Sequence, residues 1–465
     1  MMKRVSSKKA WQRGCLGLVA VCLALTLVFG PGTAQQPAPR LWEKLGPNRI
    51  AVWSFSPNFA TDNTVFIATS ALEKLSLRGV YRSEDRGATW KQVSEGLTAK
   101  KRDYYTALKL SPTYASDSTL WLTGHKTSLA VKEAFGGLWE STDDAATWSE
   151  IDYKGFPLRQ LTGKVSQDLI GLVISPKIAE DGLMVGAAAG EGVYASHDKG
   201  RNWEVLSPIK DITNIFAPPN FPDEPFLALA TTGSQVMVST DGGKTFETRG
   251  SGLSETMKSV RGVAFSANFA QDRTMFCFGA AGVYMSKDAG MNWALIAEPE
   301  QNASIESLTV AGDFSTFGAI AYGTDDSKIF LSEDMGKTFA SIGAETVLSY
   351  KVDTLAFPPD YADSRQIFAG SQDGIFRYGP AINEEAAAAA QSHADSVEAT
   401  RVARATTVAG MEFVPEQSDR VETGCIAYSV APLSLIVVLA VKTGRSDKNH
   451  LRRNGLTRNI RKRLP

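Results

Sequence analysis

The sequence predicts an all-β fold built from repeated four-strand units, and three observations carry that prediction. The phrase Ser-x-Asp-x-Gly-x-Thr/Asn-Trp/Phe occurs six times, at Ser83–Trp90, Ser141–Trp148, Ser196–Trp203, Ser239–Phe246, Ser286–Trp293 and Ser332–Phe339. Successive copies begin 58, 55, 43, 47 and 46 residues apart, a period that belongs to stacked supersecondary units rather than independent domains. Between copies lie short apolar runs bounded by turn residues, each of strand length. A unit this small cannot bury a core alone, so neighbouring units must pack on one another.

Within a unit the elements follow in a set order. The first strand runs apolar into a turn, as in Val52–Pro57, Ala107–Pro112, Gly171–Pro176 and Gly262–Ser266. The turn reads Asn-Phe/Tyr-x-x-Asp at Asn58–Asp62 and Asn268–Asp272, with variants at Thr113–Asp117 and Asp360–Asp363, and Pro and Asp favour a bend there. A second strand follows, such as Thr64–Ala68, Thr119–Leu122, Pro225–Leu229, Thr274–Phe278 or Gln366–Ala369. The third is Gly-Val-Tyr-like, at Gly79–Tyr81, Gly137–Trp139, Gly192–Tyr194, Gly282–Tyr284 and Gly374–Phe376. The repeated phrase then turns the chain into a fourth strand, for example Trp90–Val93 or Trp203–Leu206.

The phrase works as a hairpin turn. Its carboxylate (Asp85, Asp143, Asp198, Asp241, Asp288 or Asp334) accepts turn N–H groups, its Gly tolerates positive φ, and its ring (Trp90, Trp148, Trp203, Phe246, Trp293 or Phe339) buries against neighbouring strands. The second copy departs, with Ala145 at the Gly position, and a different turn conformer is expected there.

These octapeptides resemble the Asp-box, or bacterial neuraminidase repeat, family over roughly residues 41–378. The resemblance implies a β-propeller of four-stranded antiparallel blades. Six units run from about Ile50 to Gly343, and a seventh begins at Val352 but stops at Tyr378 without its fourth strand. Leu41–Gly46 looks like a fourth strand lacking its turn, so the N-terminal strand is expected to complete the last blade and close a seven-bladed ring. Closure removes open sheet edges.

Flanking segments suggest export and tethering. Lys3, Arg4, Lys8, Lys9 and Arg13 precede an uncharged apolar run, Gly14–Phe29, and small residues up to Ala34 suit cleavage, which makes 1–34 a signal peptide; an uncleaved anchor is the other reading. The propeller occupies 41–379, and an Ala-rich and polar linker 380–422. Residues 423–441 carry no charge and have the length of a membrane span, although a short apolar strand or an interfacial segment is the alternative. The tail 442–465 carries about +8, which suits a cytoplasmic end or attraction to anionic lipid. Of the four cysteines, Cys15 and Cys22 leave with the signal. Cys277 falls in a core strand and Cys425 in the apolar stretch, so no disulfide is expected.

Chemistry is sparse. The four histidines (His125, His197, His393, His450) are scattered and no Cys cluster exists, so no metal or cofactor is expected. Net charge is -1 and the basic tail lacks aromatic interleaving, which argues against nucleic acid. Asp-box proteins include sialidases, but the Arg-Ile-Pro phrase of that chemistry is missing, with Asn48-Arg-Ile50 followed by Ala. Loop acids such as Glu191, Asp325, Asp326 and Asp373 form no pair with glycosidase spacing.

Loop length points elsewhere. Ser70–Gly79, Glu95–Tyr105, Gly124–Gly137 and Asp152–Gly171 are long, share one face of the first two blades and together carry about +4. Lys100, Lys101, Arg102, Tyr104, Tyr105, Lys126, Lys132, Arg159 and Lys164 are the candidate binding surface, with Phe135 and Phe156 beside them. A basic, aromatic-bearing surface suits an acidic protein segment or an anionic glycan. By resemblance the chain is similar to the photosystem II assembly factor group of seven-bladed Asp-box propellers, which implies a non-catalytic, extracytoplasmic binding scaffold. The alternatives are a glycoside hydrolase of sialidase or xyloglucanase type and a sortilin-like ectodomain, whose Cys-rich module is missing.

Overall fold

A computed structural model describes residues 40–380, apart from 47–49, 70–78, 98–102, 127–136, six positions between 157 and 168, and residues 189, 301–302, 313 and 347. It also describes 426–428 and 437–439. The signal peptide, nearly all of the linker and the basic tail therefore lie outside the described residues. Of the apolar segment 423–441, only Ile426–Tyr428 and Val437–Leu439 are described, as a short antiparallel pair belonging to a separate compact unit, 395–465. No helix among the described residues is long and apolar enough to cross a membrane.

Seven four-stranded antiparallel sheets make the propeller. Their first strands are Ile50–Phe55, Asp103–Leu110, Leu169–Ile174, Ile212–Phe216, Val260–Phe265, Ile305–Val310 and Val352–Ala356. Each approaches the next, and the seventh returns to the first, so these strands form the inner ring around a channel. Closure is as expected: Arg40–Gly46 pairs antiparallel with Gly374–Pro380, setting Trp42 opposite Tyr378 and Lys44 opposite Phe376. Trp42 is buried, its Nε1–H donates to the Ile342 carbonyl at 2.8 Å, and its ring lies 5.2 Å from that of Tyr378.

The apolar core is not one centre but a series of layers between neighbouring blades. Phe66 and Val80 of blade 1 pack with Leu108, Leu120 and Trp148 of blade 2, and Phe226 of blade 4 with Phe269 and Trp293 of blade 5. Each blade buries both faces, which explains second strands that are buried at every position, such as Val65–Thr69 and Leu227–Thr231. Cys277 is fully buried in one such strand and burial pushes its thiol up.

Two repeated turns share one end of the ring. In every Asp box the Ser hydroxyl donates to the carboxylate two residues on. The carboxylate also accepts from the Thr or Asn four residues on, through backbone N–H and side chain, as Asp85 does from Thr89 at 2.8 and 2.6 Å. Beside it, the expected bend after the first strand is a single helical turn: Phe59–Asp62, Tyr114–Asp117, Ile178–Asp181, Phe269–Asp272, Phe314–Phe317 and Tyr361–Ser364. Its own clasp runs from the preceding Ser hydroxyl to the closing Asp, at 2.5–2.7 Å in Ser56–Asp62, Ser111–Asp117, Ser175–Asp181 and Ser266–Asp272. The two turns are joined, since in the five blades that have both the residue after the box Asp donates its N–H to the end of the helical turn, for example Lys199 to Gly182 at 2.9 Å.

The second box corrects the expectation of a different conformer. Ala145 takes φ 64 and keeps every bond of the motif, including its N–H to Ser141 Oγ at 2.9 Å. The hydrogen bonds around Ser141 and Asp143 hold a non-glycine residue left-handed at a cost of about 1–2 kcal/mol.

Blade is stitched to blade at the same end. Trp148, Trp203 and Trp293 donate backbone N–H to the carbonyls of Glu95, Lys154 and Ser251 in the preceding connection. The residue after each carbonyl is Gly96, Gly155 or Gly252, at φ 79–89, where a Cβ would lie 2.0–2.1 Å from the Trp carbonyl oxygen. A polar contact also spans every seam: Arg82–Asp144, Arg201–Glu140, Lys177–Asp223, Arg273–Glu224, Asn268–Ser315, Tyr361–Glu333 and Arg86–Asp360. Most are partly exposed, so each adds little beyond alignment.

Candidate functional site

Antiparallel order places the loops between second and third strands, and those between blades, at the end opposite the Asp boxes. This loop end is where the candidate residues were expected. Blade 2 builds furthest there, because its inner hairpin extends to pair Asp103 with Lys126 and Tyr104 with His125. Between blades 2 and 3 the connection contains a hairpin where the sequence suggests only a long loop, Arg159–Leu161 with Lys164–Ser166. Tyr104, Lys126, Arg159 and Lys164 are thus carried on backbone at this end. Lys100, Lys101, Arg102, Lys132 and Phe135 lie outside the described residues.

Two aromatic residues assigned to the surface are instead core. Tyr105 is 7% exposed and packs with Leu108 and Trp139. Phe156 is 5% exposed, with its ring 5.0 Å from Tyr194 and 5.4 Å from Trp203. Both were misplaced for the same reason: a long connection counted as solvent begins or ends by packing between blades.

Blades 5–7 present a different loop end. Glu306 binds Arg261 and, at 3.1 Å, Lys351, which also pairs with Asp353 at 3.2 Å. Burial disfavours the Glu306 charge, but the Lys351 and Arg261 cations outweigh it and hold the carboxyl below its ordinary value. Asp326 is likewise lowered, burial being outweighed by Thr324 and Lys328. Asp325 and Asp373 accept the backbone N–H groups of Ser304 and Ser349.

Hydrolysis of a glycoside needs one carboxylic acid held protonated by a raised pKa. Among the described residues every carboxyl with a resolved shift moves the other way. This holds for the box residues too: burial alone would raise Asp198, but Asn202, Ser196 and the Arg201 N–H bring it down to about 2. Asp334, held mainly by Thr338, also sits at about 2. The box aspartates are turn clasps at the far end of the ring. The eight described tryptophans are buried or half-buried, and none offers an open sugar platform. No group of His, Cys, Asp and Glu that could hold a metal occurs among the described residues.

A model of the BNR–Asp box repeat matches residues 80–93, the third strand and first box of blade 1. With six such boxes on seven four-stranded blades, the chain is a β-propeller that carries the Asp-box repeat. Over 308 residues the propeller is 25% identical to the xyloglucanase of Hypocrea jecorina, covering 62% of this chain but only 32% of that enzyme. It therefore spans about a third of the curated relative's length. Among solved structures, YCF48 bound to D1 peptide is similar at TM-score 0.52 and 17% identity, over 74% of this chain and 98% of YCF48. The GH74 xyloglucanase of Xanthomonas campestris is similar at 0.53 and 15%, over 72% of this chain and 53% of the enzyme. At these identities the structural likenesses show the fold alone.

Proposed function

We propose that the propeller is a non-catalytic binding scaffold, exported and membrane-tethered, that holds an acidic protein segment on the basic loop end of blades 1 and 2. The observation that carries this reading is the pairing of the loop-end carboxyls of Glu306, Asp325, Asp326 and Asp373 with cations or backbone N–H groups, as counter-ions and clasps. Charge complementarity and long loops on a rigid ring support the ligand class. A peptide-bound propeller of matching length, YCF48, is consistent with it.

The test uses full-length protein in detergent and a fluorescent acidic peptide, at low and high salt. Binding is expected to be saturable and to weaken as salt screens the surface. The triple variant Lys100→Glu, Lys101→Glu, Arg102→Glu is expected to lose at least about tenfold in affinity, against about 1.4 kcal/mol per factor of ten. Unchanged binding in that variant, or preference for an anionic glycan over the peptide, would sink the acidic-segment reading. For export, N-terminal sequencing of membrane-purified protein is expected to begin at Gln35; a start at Met1 would leave the signal as an anchor.

The glycoside hydrolase reading is favoured by the identity to a xyloglucanase. Release of reducing ends from xyloglucan by purified protein, abolished by no loop-end charge reversal, would replace the scaffold with an enzyme.

A further inference from the structure

The central channel opens at the Asp-box end into a cavity of about 370 Å³, walled by the ends of the first strands of blades 2–5 and by Pro176, Pro218 and Pro219. Every first strand carries a bulge near its start, so equivalent positions can be counted from it. Three residues along, the ring holds Ser54, Lys109, Val173, Phe216, Ala264, Thr309 and Ala356. Four of these, Lys109, Val173, Phe216 and Ala264, border the cavity. Lys109 is the only charged residue at that level and in the wall.

The Lys109 ammonium makes no hydrogen bond or ion pair with a described residue. This contrasts with Arg261, Lys328 and Lys351 at the other end, each paired with a carboxylate. Its side chain meets solvent only in part, within the channel. Burial pushes its pKa below the ordinary lysine value. An ammonium held without a counter-ion among Leu172, Ile174, Phe216 and Phe265 is costly unless something pairs with it.

We infer that this channel mouth is a binding site for a small monocarboxylate with an apolar body, its carboxylate on Lys109 Nζ and its body against the aliphatic and aromatic wall. The cavity falls in the size range of small-molecule sites, and its lining side chains offer one cation beside aliphatic and aromatic groups. The site lies at the end opposite the loop surface and does not depend on what that surface binds.

Octanoate serves as the probe and octanol as its uncharged counterpart, each titrated into full-length protein by calorimetry. Octanoate is expected to bind saturably and octanol at least about tenfold more weakly, the effect of one charge-assisted hydrogen bond. Lys109→Met is expected to abolish that discrimination, and Lys109→Arg to keep it. In the unmodified protein, octanoate should protect Lys109 from acetic anhydride, read by mass spectrometry, which decides the matter even if Lys109→Met does not fold. Octanoate binding equal in Lys109→Met and wild type, no saturable binding, or acetylation of Lys109 unaffected by octanoate would each overturn the site.

Discussion

At the Asp-box end of the ring the blades repeat the same bonds; at the loop end blade 2 and blades 5–7 are built differently. The boxes share one donor and acceptor pattern, and four of the helical turns beside them share a second. At the loop end, blade 2 has a lengthened hairpin, the blade 2–3 connection has an added one, and blades 5–7 carry acids tied up by Arg261, Lys328 and Lys351. Repetition serves the ring, because each blade must meet its neighbour in the same way. Variation is tolerated where only solvent or a ligand is met.

The comparison can be broken first at the closing seam. Trp42→Ala removes a buried ring and its bond to Ile342, and is expected to cost about 3–5 kcal/mol in denaturant unfolding. A loss below 1 kcal/mol would mean that the ring closes without its N-terminal strand.

Within the boxes, Gly200→Ala is expected to cost about 1–3 kcal/mol. Its φ of 87 is left-handed and the new Cβ would meet Leu138 Cδ2 at 2.5 Å. The mirror change, Ala145→Gly, should alter stability by less than about 1 kcal/mol, because relief at φ 64 is offset by a lost buried methyl. If the two substitutions have equal and opposite effects, packing at box 2 contributes nothing.

Acid should weaken the box end only at low pH. The box carboxyls have folded pKa values below their unfolded value, so their contribution is complete above about pH 4–5 and is lost as pH falls toward about 2. The unfolding midpoint is expected to drop across that window, and Asp198→Asn to flatten the drop. A midpoint constant from pH 5 to 2 would deny the boxes this role.

The smallest stability effect is expected from the loop-end variant Lys100→Glu, Lys101→Glu, Arg102→Glu, within about 0.5 kcal/mol of wild type. Scanning calorimetry checks it, and a larger loss would mean that these loops are part of the ring's structure.

Strand order, blade count, the box hydrogen bonds and the closure by Leu41–Gly46 were legible in the sequence. Each is written locally, in alternating turn and apolar residues, and repeated often enough to reveal its period. First strands of blades 4 and 6 were harder: Ile212–Phe216 and Ile305–Val310 lack the Ser-Pro ending seen in blades 1–3. The helical turn and its Ser–Asp clasp had a visible signal, Ser six residues before Asp, that the reading of the bend as Asn-Phe-x-x-Asp passed over.

The sequence by itself thus determined the repeated sheet and the number of its copies, because backbone pairing and turn geometry depend on neighbours a few residues away. Only the tertiary structure decided which loop aromatics are core, as Tyr105 and Phe156 are. It alone brought Lys109 to an apolar channel beside residues of three other blades. Burial and the pairing of charge depend on which distant strands become neighbours, and no local pattern encodes that.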